Sequence, residues 1–417
     1  MKGGQPMKLF VGIDVSSKDL QVAIMSSQTA QELLFSGSVL NDLNGISELK
    51  QKILTLNQQN HYEKIVIGME STSIYSFHPA MFFQLDDDLN QFNLETVVLN
   101  PTEVKRFKNI FEENKNDTID AFYIADFLRL ERYSVGIVKE EQYIALQRLT
   151  RSRFQLAANL TESKQHFIEN LYYKLNKLVV DKLDTSIFGA TMMNLLSDEF
   201  TNDDLNAIPV EDLAAYLNKQ GHGRFADPQK LAKAIKKAVR GSYRLGKVMQ
   251  NSVDIVLSIY TSEIKTFTKL IKQLDDEITK MMTVIPEAAI LQSIPGIGPV
   301  YSAGIIAEIG QIDRFDNQAK LAKYAGLTWK QYQSGNFTGQ VTRMTHSGDV
   351  YLRYYLIEAT NSIIRYDETF NRYFTKKQHE VARTPRKRAL ALTARKLVRV
   401  IDKLLRDHQI YRKEEMV

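Results

Sequence analysis

The chain has 417 residues, 44% of them hydrophobic and 25% charged, which suits two or three folded domains with real cores. No run of about 18 apolar residues is present and the first residues lack the pattern of a signal peptide, so we expect no membrane span and a cytoplasmic protein. Cysteine is absent, which excludes disulfides and thiolate metal sites. The net charge of +5 is unevenly spread, at −6 over residues 1–150, +3 over 151–285 and +8 over 286–417. A basic back half concentrates phosphate polyanions by counterion release, although a solvated lysine-rich face has the same composition.

In chain order, Leu9–Val15 is a short apolar run ending in a carboxylate, and Ser16-Ser17-Lys18 reads as a turn. Asp19–Met25 alternates like a half-buried strand, and a third strand is expected near Glu32–Ser38. Asn44–Leu56 has an apolar helical stripe. Lys64–Met69 and Glu95–Leu99 are further strands, with a helix between them over Ser76–Leu89. This β-β-β-α-β-α-β order is that of an RNase H-like sheet. Asp117–Arg132 has helical spacing. Gln142–Asn176 and Tyr243–Thr283 read as long helices able to pair as an antiparallel coiled coil, with an insertion over Asp198–Arg240 between them. A boundary is expected near Pro286. Beyond it come an apolar hairpin over Leu291–Gly310, a Gly/Ser-rich loop over Ser334–Gly348, a helix at Tyr351–Ile364 and a basic tail from Phe374, helical around Ala389–Leu405. The predicted domains are 1–140, 141–285, 286–373 and 374–417.

Four carboxylates stand out. Asp14 and Glu70 end apolar strands, and Asp117 and Asp120 share a helix face at i, i+3. Strand-end acids beside a helical pair can converge on hard divalent cations, and two such ions about 4 Å apart assist phosphodiester cleavage. Singly, Asp117 reads better as a helix N-cap, and a turn residue at Asp14 and a cap at Glu70 are open alternatives; the set of four is more specific. In the C-terminal part, Gly296 and Gly298 form a tight turn before a helix starting at Pro299. This is a helix-hairpin-helix-like grip on a phosphate backbone, or a plain αα-hairpin. Ser334, and more weakly Ser347, are loop serines able to attack phosphate if activated, though a Ser-Gly pair is more often a turn. Arg343 and Arg353 are candidate phosphate clamps, His346 a weak acid–base candidate, and Arg386, Lys387 and Arg388 a basic run for nucleic acid.

Taken in order, GIDVSSKDLQVAI, GMEST, NDTIDAFYIADF, LQSIPGIGPVYSAGIIAEIG, RFDNQAKLAKYAGL, QSGNF and HSGDVYLRYYLIEA resemble the DEDD transposases of bacterial insertion sequences, described as bridge-RNA-guided serine recombinases. The resemblance covers most of the chain, more weakly in 140–285. It implies a RuvC-like N-terminal domain, a coiled-coil middle and a small, mostly α transposase domain. It makes Asp14, Glu70, Asp117 and Asp120 ligands of Mg²⁺, with Mn²⁺ as an alternative. Ser334 becomes a nucleophile forming a transient 5′-phosphoserine link, with Gln333 standing where many relatives have a second serine. The implied partners are donor and target DNA, a structured guide RNA and further copies of the chain in a dimer or tetramer. The competing readings are a metal-only RuvC-like nuclease or junction resolvase, and a non-enzymatic nucleic-acid-binding protein on a nuclease fold.

Overall fold

The computed structural model describes residues 7–27, 32–70, 74–99, 101–110, 117–131, 140–181, 183–329, 333–334, 337–338, 344–345, 347–380 and 384–413. Two compact units result, one comprising Met1–Glu140 with Gln311–Asp316, the other Glu141–Gly310 with Asn317–Val417. Among the described residues, no helix is long and apolar enough to cross a membrane.

The first unit is built on strands β1 (Lys8–Val15), β2 (Asp19–Ser26), β3 (Leu33–Leu40), β4 (Lys64–Glu70) and β5 (Leu94–Leu99). Their spatial order is β3-β2-β1-β4-β5. The first three strands pair antiparallel, while β4 and β5 run parallel to β1. That is the sheet order of an RNase H-like domain, as the sequence predicts. Helices α1 (Leu43–Asn60), α2 (Phe77–Gln84) and α3 (Asp87–Asn90) lie between β3 and β5 in the chain. The sequence predicts one helix where α2 and α3 stand. The structure breaks it at Asp86, whose carboxylate accepts a hydrogen bond from Leu89 N and restarts the helix as its N-cap. After β5 come α4 (Pro101–Lys108) and α5 (Asp117–Arg129).

The alternation of β1 and β4 divides the unit into two cores. Leu9, Val11, Ile13, Ile65, Ile67 and Met69 pack with Ile46, Leu49 and Ile53 of α1 and Phe83 of α2. The opposite face carries Phe10 and Val66, which pack with Val104 and Phe107 of α4 and with Ile124, Phe127 and Leu128 of α5. Between the large residues of that second face stand Gly12 and Gly68. A Cβ on Gly12 would lie 2.3 Å from Ala125 N and 2.4 Å from Ala121 O. One on Gly68 would lie 2.6 Å from the Leu128 side chain. The glycines are therefore what allows α5 to lie directly on β1 and β4.

In the second unit, α6 (Glu141–Asp181) and α11 (Lys247–Met281) form an antiparallel pair. Arg153–Asp275, Ser163–Glu263 and Lys174–Asp254 contacts mark successive rungs along it. The helix α6 leaves helical geometry at Leu175 (φ −143°, ψ 67°), and Asn202 Nδ2 donates to the carbonyl of Lys174 beside the break. The segment between the long helices, read from sequence as a less regular insertion, contains α7 (Ala190–Asn194), α8 (Asn202–Ala207), α9 (Val210–Gln220) and α10 (Pro228–Gly241). Their apolar residues share one core with Phe167, Leu171 and Leu178 of α6 and Leu257 of α11.

The rest of the unit comprises α12 (Glu287–Gln292), α13 (Pro299–Ile309), α14 (Gln318–Tyr324), the short strands β6 (Gln333–Ser334) and β7 (Phe337–Thr338), and α15 (Val350–Tyr366), α16 (Glu368–His379) and α17 (Pro385–Arg406). The start of α6 packs on α13. There Glu308 is fully buried, and its carboxylate accepts from Arg151 Nε at 2.8 Å, Arg151 Nη2 at 2.9 Å and Gln147 Nε2 at 2.7 Å. Tyr355 of α15 lies against Gly304 of α13 and donates its hydroxyl to the carbonyl of Thr150. Burial pushes that hydroxyl's pKa up, so it stays a neutral donor.

Two predictions test this packing. Gly12→Ala should lower the unfolding free energy by about 1–3 kcal/mol, because α5 must move off the sheet; an unchanged urea midpoint contradicts it. Glu308→Ala should cost about 1–3 kcal/mol, because it removes the buried acceptor of three hydrogen bonds from Arg151 and Gln147, leaving Arg151 with Asp349 at 3.5 Å. A loss under about 1 kcal/mol in the same measurement would mean water satisfies the Arg151 guanidinium.

Candidate functional site

The register of β1 on β4 fixes the first pair of acids. Ile13 lies opposite Met69, so Asp14 and Glu70 follow as neighbours at the ends of two adjacent parallel strands. Such strands run about 4.8 Å apart. By alternation both residues belong to the face that carries Gly12 and Gly68, which is the face covered by α5. Asp14 is half-buried and Glu70 is 9% exposed.

The helix α5 begins at Asp117, and Asp120 sits one turn into it, next to the Ala121 carbonyl that approaches Gly12. The side chain of Asp117 lies outside the described residues. Asp120 joins Glu70 through a third residue: Lys108 Nζ is 3.2 Å from Glu70 Oε1 and 3.1 Å from Asp120 Oδ1. Strand end and helix thus bring their carboxylates to a common cation. Among the described residues no group of three or more His, Asp or Glu side chains stands close enough to count as a metal cluster. The donor set nonetheless fits a hard divalent ion: the oxygens of Glu70 and Asp120 already share a positive charge, and Asp14 adjoins Glu70 in register.

The sequence reading missed Lys108 because it missed α4. The signal was present. Pro101 opens the helix, Glu103 lies in its first turn, and Lys105, Arg106 and Lys108 lie in its last, the charge order that suits a helix dipole.

In the second unit, Thr345 N donates to Thr328 O at 2.9 Å, and Trp329 bridges Met344. This pairing forms the stem of the serine-bearing loop. Farther along, Ser334 pairs in register with Phe337. The side chain of Ser334 and the whole of Arg343 and His346 lie outside the described residues. Ser347 is exposed. It precedes Gly348 (φ +147°), where a Cβ would meet Tyr324 O at 2.4 Å, so the loop re-enters tightly before Asp349 caps α15.

The other predicted contacts separate into committed and open ones. Gly296 (φ +87°) is backed by Tyr366 and Ser362 of α15, the former 2.7 Å from a built Cβ. Its close approach is therefore to a protein helix. Gly298, at the N-cap of α13, has open space around it. Arg353 Nη1 donates to the carbonyl of Ala325 and crowds Gly326, so it braces the turn after α14. Arg386 donates to Asn361 Oδ1 at 2.8 Å and lies over the Phe374 ring, whereas Lys387 and Arg388 are exposed. Lys396 lies 5.2 Å from the centres of the Phe370 and Tyr373 rings, and burial lowers its pKa. Arg386 and Lys396 therefore help pack α17 onto its neighbouring helices.

Comparisons with known proteins bear on both parts of the chain. A family model described as transposase, of the DEDD IS110 type, matches residues 11–173, and one described as transposase of the IS116/IS110/IS902 family matches 288–375. A 44.8 kDa protein of insertion element IS116 from Streptomyces clavuligerus is 23% identical over 413 residues, 97% of this chain and 96% of that one. The pilin gene-inverting protein of Moraxella bovis is 27% identical over 177 residues, 40% of this chain and 53% of its own. The transposase of IS1111A from Coxiella burnetii is 26% identical over 111 residues, 27% of this chain and 30% of its own. Thermus thermophilus RuvC, solved with a Holliday junction substrate, aligns with 31% of this chain and 98% of its own at 13% identity and a TM-score of 0.23. A likeness of that size adds nothing to what the strand order shows.

The exposed part of the tail gives a direct prediction. Replacing Lys387 and Arg388 with Ala should lower the slope of log binding constant against log salt for nucleic acid by about two units, one per phosphate contact. Arg386→Ala should change the slope less and lower the melting temperature instead. An unchanged slope in the Lys387/Arg388 double variant would make this run a solvated face.

Proposed function

The chain belongs to the DEDD transposases of the IS110/IS116/IS902 insertion-sequence family, and from that premise we propose that it cuts and rejoins DNA through Ser334, assisted by the carboxylates Asp14, Glu70, Asp117 and Asp120. The observation that carries the acidic half of this reading is the convergence of Glu70 and Asp120 on one cation beside Asp14. Oxygen ligands of this kind suit Mg²⁺, and when bound it supplies Lewis-acid polarisation of the scissile phosphate.

In this reading Asp14 and Glu70 hold the ion from the sheet, while Asp117 and Asp120 hold it from α5. Ser334 Oγ attacks phosphorus, its proton passes to solvent, and the bond to the 3′-oxygen breaks. The products are a 5′-phosphoserine and a free 3′-hydroxyl. Rejoining reverses the step: a 3′-hydroxyl from another strand attacks the phosphoserine, and the serine oxygen leaves and regains a proton. The number of P–O ester bonds is conserved throughout, so no external energy source is needed. Donor and target DNA are the substrates. A structured RNA that pairs with both, and an oligomer of this chain, complete the proposal; neither is read from side chains of the described residues.

Ser334 separates this mechanism from a metal-only nuclease, in which water is the nucleophile. Ser334→Ala should abolish the covalent protein–DNA adduct on denaturing gels and reduce recombination by at least about 10³-fold, within the range seen when a nucleophile is removed. Asp14→Asn should also abolish both. Recombination that persists in Ser334→Ala while Asp14→Asn is dead would identify the metal-only enzyme.

A further inference from the structure

We propose that Lys108 is a resident counter-ion of the acidic site, holding Glu70 and Asp120 together in the metal-free protein and yielding its place when a divalent cation binds. The inference rests on the reading of Asp14, Glu70 and Asp120 as metal carboxylates and adds a residue that the sequence did not single out.

The geometry carries it. One ammonium stands 3.2 Å from Glu70 and 3.1 Å from Asp120, two carboxylates of like charge that come from different elements. A divalent ion binds carboxylate oxygens at about 2.0–2.6 Å. An ion bound to those carboxylates lies within a few ångströms of the ammonium that already holds one oxygen of each, and their like charges repel. Lys108 is placed so that it can leave. It is the last residue of α4, and its side chain is 21% exposed, whereas the helix itself is anchored by buried Val104 and Phe107. The side chain can swing away without unseating α4.

Contrast Glu308, whose carboxylate is fully buried and accepts three hydrogen bonds from Arg151 and Gln147 of a neighbouring helix. That carboxylate is committed to structure. The Glu70–Lys108–Asp120 bridge has one cation on a long side chain shared between two acids whose own side chains are partly exposed, an arrangement open to exchange. Once displaced, the ammonium is available to an incoming phosphate oxygen, so metal arrival would convert a neutralising group into a substrate-facing one.

The test uses the full chain and Mn²⁺, with free Mn²⁺ followed by electron paramagnetic resonance and metal-free melting measured in parallel. Lys108→Met should reach half-saturation at about fivefold lower Mn²⁺, the factor that an ion pair worth about 1 kcal/mol gives. It should also melt earlier without metal, because two carboxylates are left facing each other. Lys108→Arg, which keeps the charge, should bind Mn²⁺ no more tightly than the wild type. If Lys108→Met fails to fold, Lys108→Gln carries the same comparison. A variant that melts earlier but keeps the wild-type half-saturation makes Lys108 a purely structural link and overturns the proposal. A wild-type protein with no Mn²⁺ binding that depends on Asp14 overturns the carboxylate reading itself, and this inference with it.

Discussion

The arrangement of the first unit depends on how closely α5 can approach the sheet. On the face shared by β1 and β4, the positions opposite the helix are Gly12 and Gly68; the backbone of α5 occupies the space a side chain at 12 would need, and the Leu128 side chain that at 68. This contact sets the height of Asp120 above the sheet. The same two strands, two residues further on, end in Asp14 and Glu70. Sheet register and helix seating are therefore one constraint. The glycines bring the helix down, and alternation turns the next side chains of the same face, both acidic, toward it. A sheet with larger residues at 12 and 68 would keep its fold class and lose the convergence.

Gathering acids has an electrostatic cost, and the chain meets it in two ways. In the second unit Glu308 is buried outright, which requires a bidentate arginine and a glutamine to satisfy it. That solution is rigid and binds α6 to α13. In the first unit the acids sit at the C-terminal ends of two interior strands and on α5, and a partly exposed lysine balances Glu70 and Asp120. The difference in burial and in the fixity of the partner separates a carboxylate that holds a fold together from one able to exchange its partner for an ion. A similar distinction runs through the cations. Lys396 and Arg386 lie over aromatic rings of α16, whereas Lys387 and Arg388, exposed like Arg386, show no such ring contact among the described residues.

The strands of the first unit were legible because each is a short apolar or alternating run punctuated by turn residues, and the strand-end acids followed from them. The two long helices were legible for the opposite reason, an unbroken helical period with few Gly or Pro. Their ion-pair rungs were not, since pairing Arg153 with Asp275 needs the register between distant segments. Lys108 was invisible because eight residues with mixed polarity give a weak period, and only the charge order marked α4. Gly296 was read as a close approach to phosphate, and in the structure its Cβ direction is filled by Tyr366 and Ser362. A tight glycine turn looks alike in sequence whether the neighbour is a phosphate or, as here, the Tyr366 and Ser362 side chains of another helix. Arg353 was likewise read as a clamp for an external anion, and the structure aims it at a backbone carbonyl.

In the proposed function, the carboxylates at the ends of β1 and β4, with those of α5, form one cation site. The most direct measurement is anomalous diffraction from crystals of the full chain soaked in Mn²⁺. The account predicts a peak among the carboxylates of Asp14, Glu70 and Asp120, with the Lys108 ammonium withdrawn from both acids. Crystals that take up Mn²⁺ elsewhere, or not at all, with Lys108 still bridging Glu70 and Asp120, would contradict it.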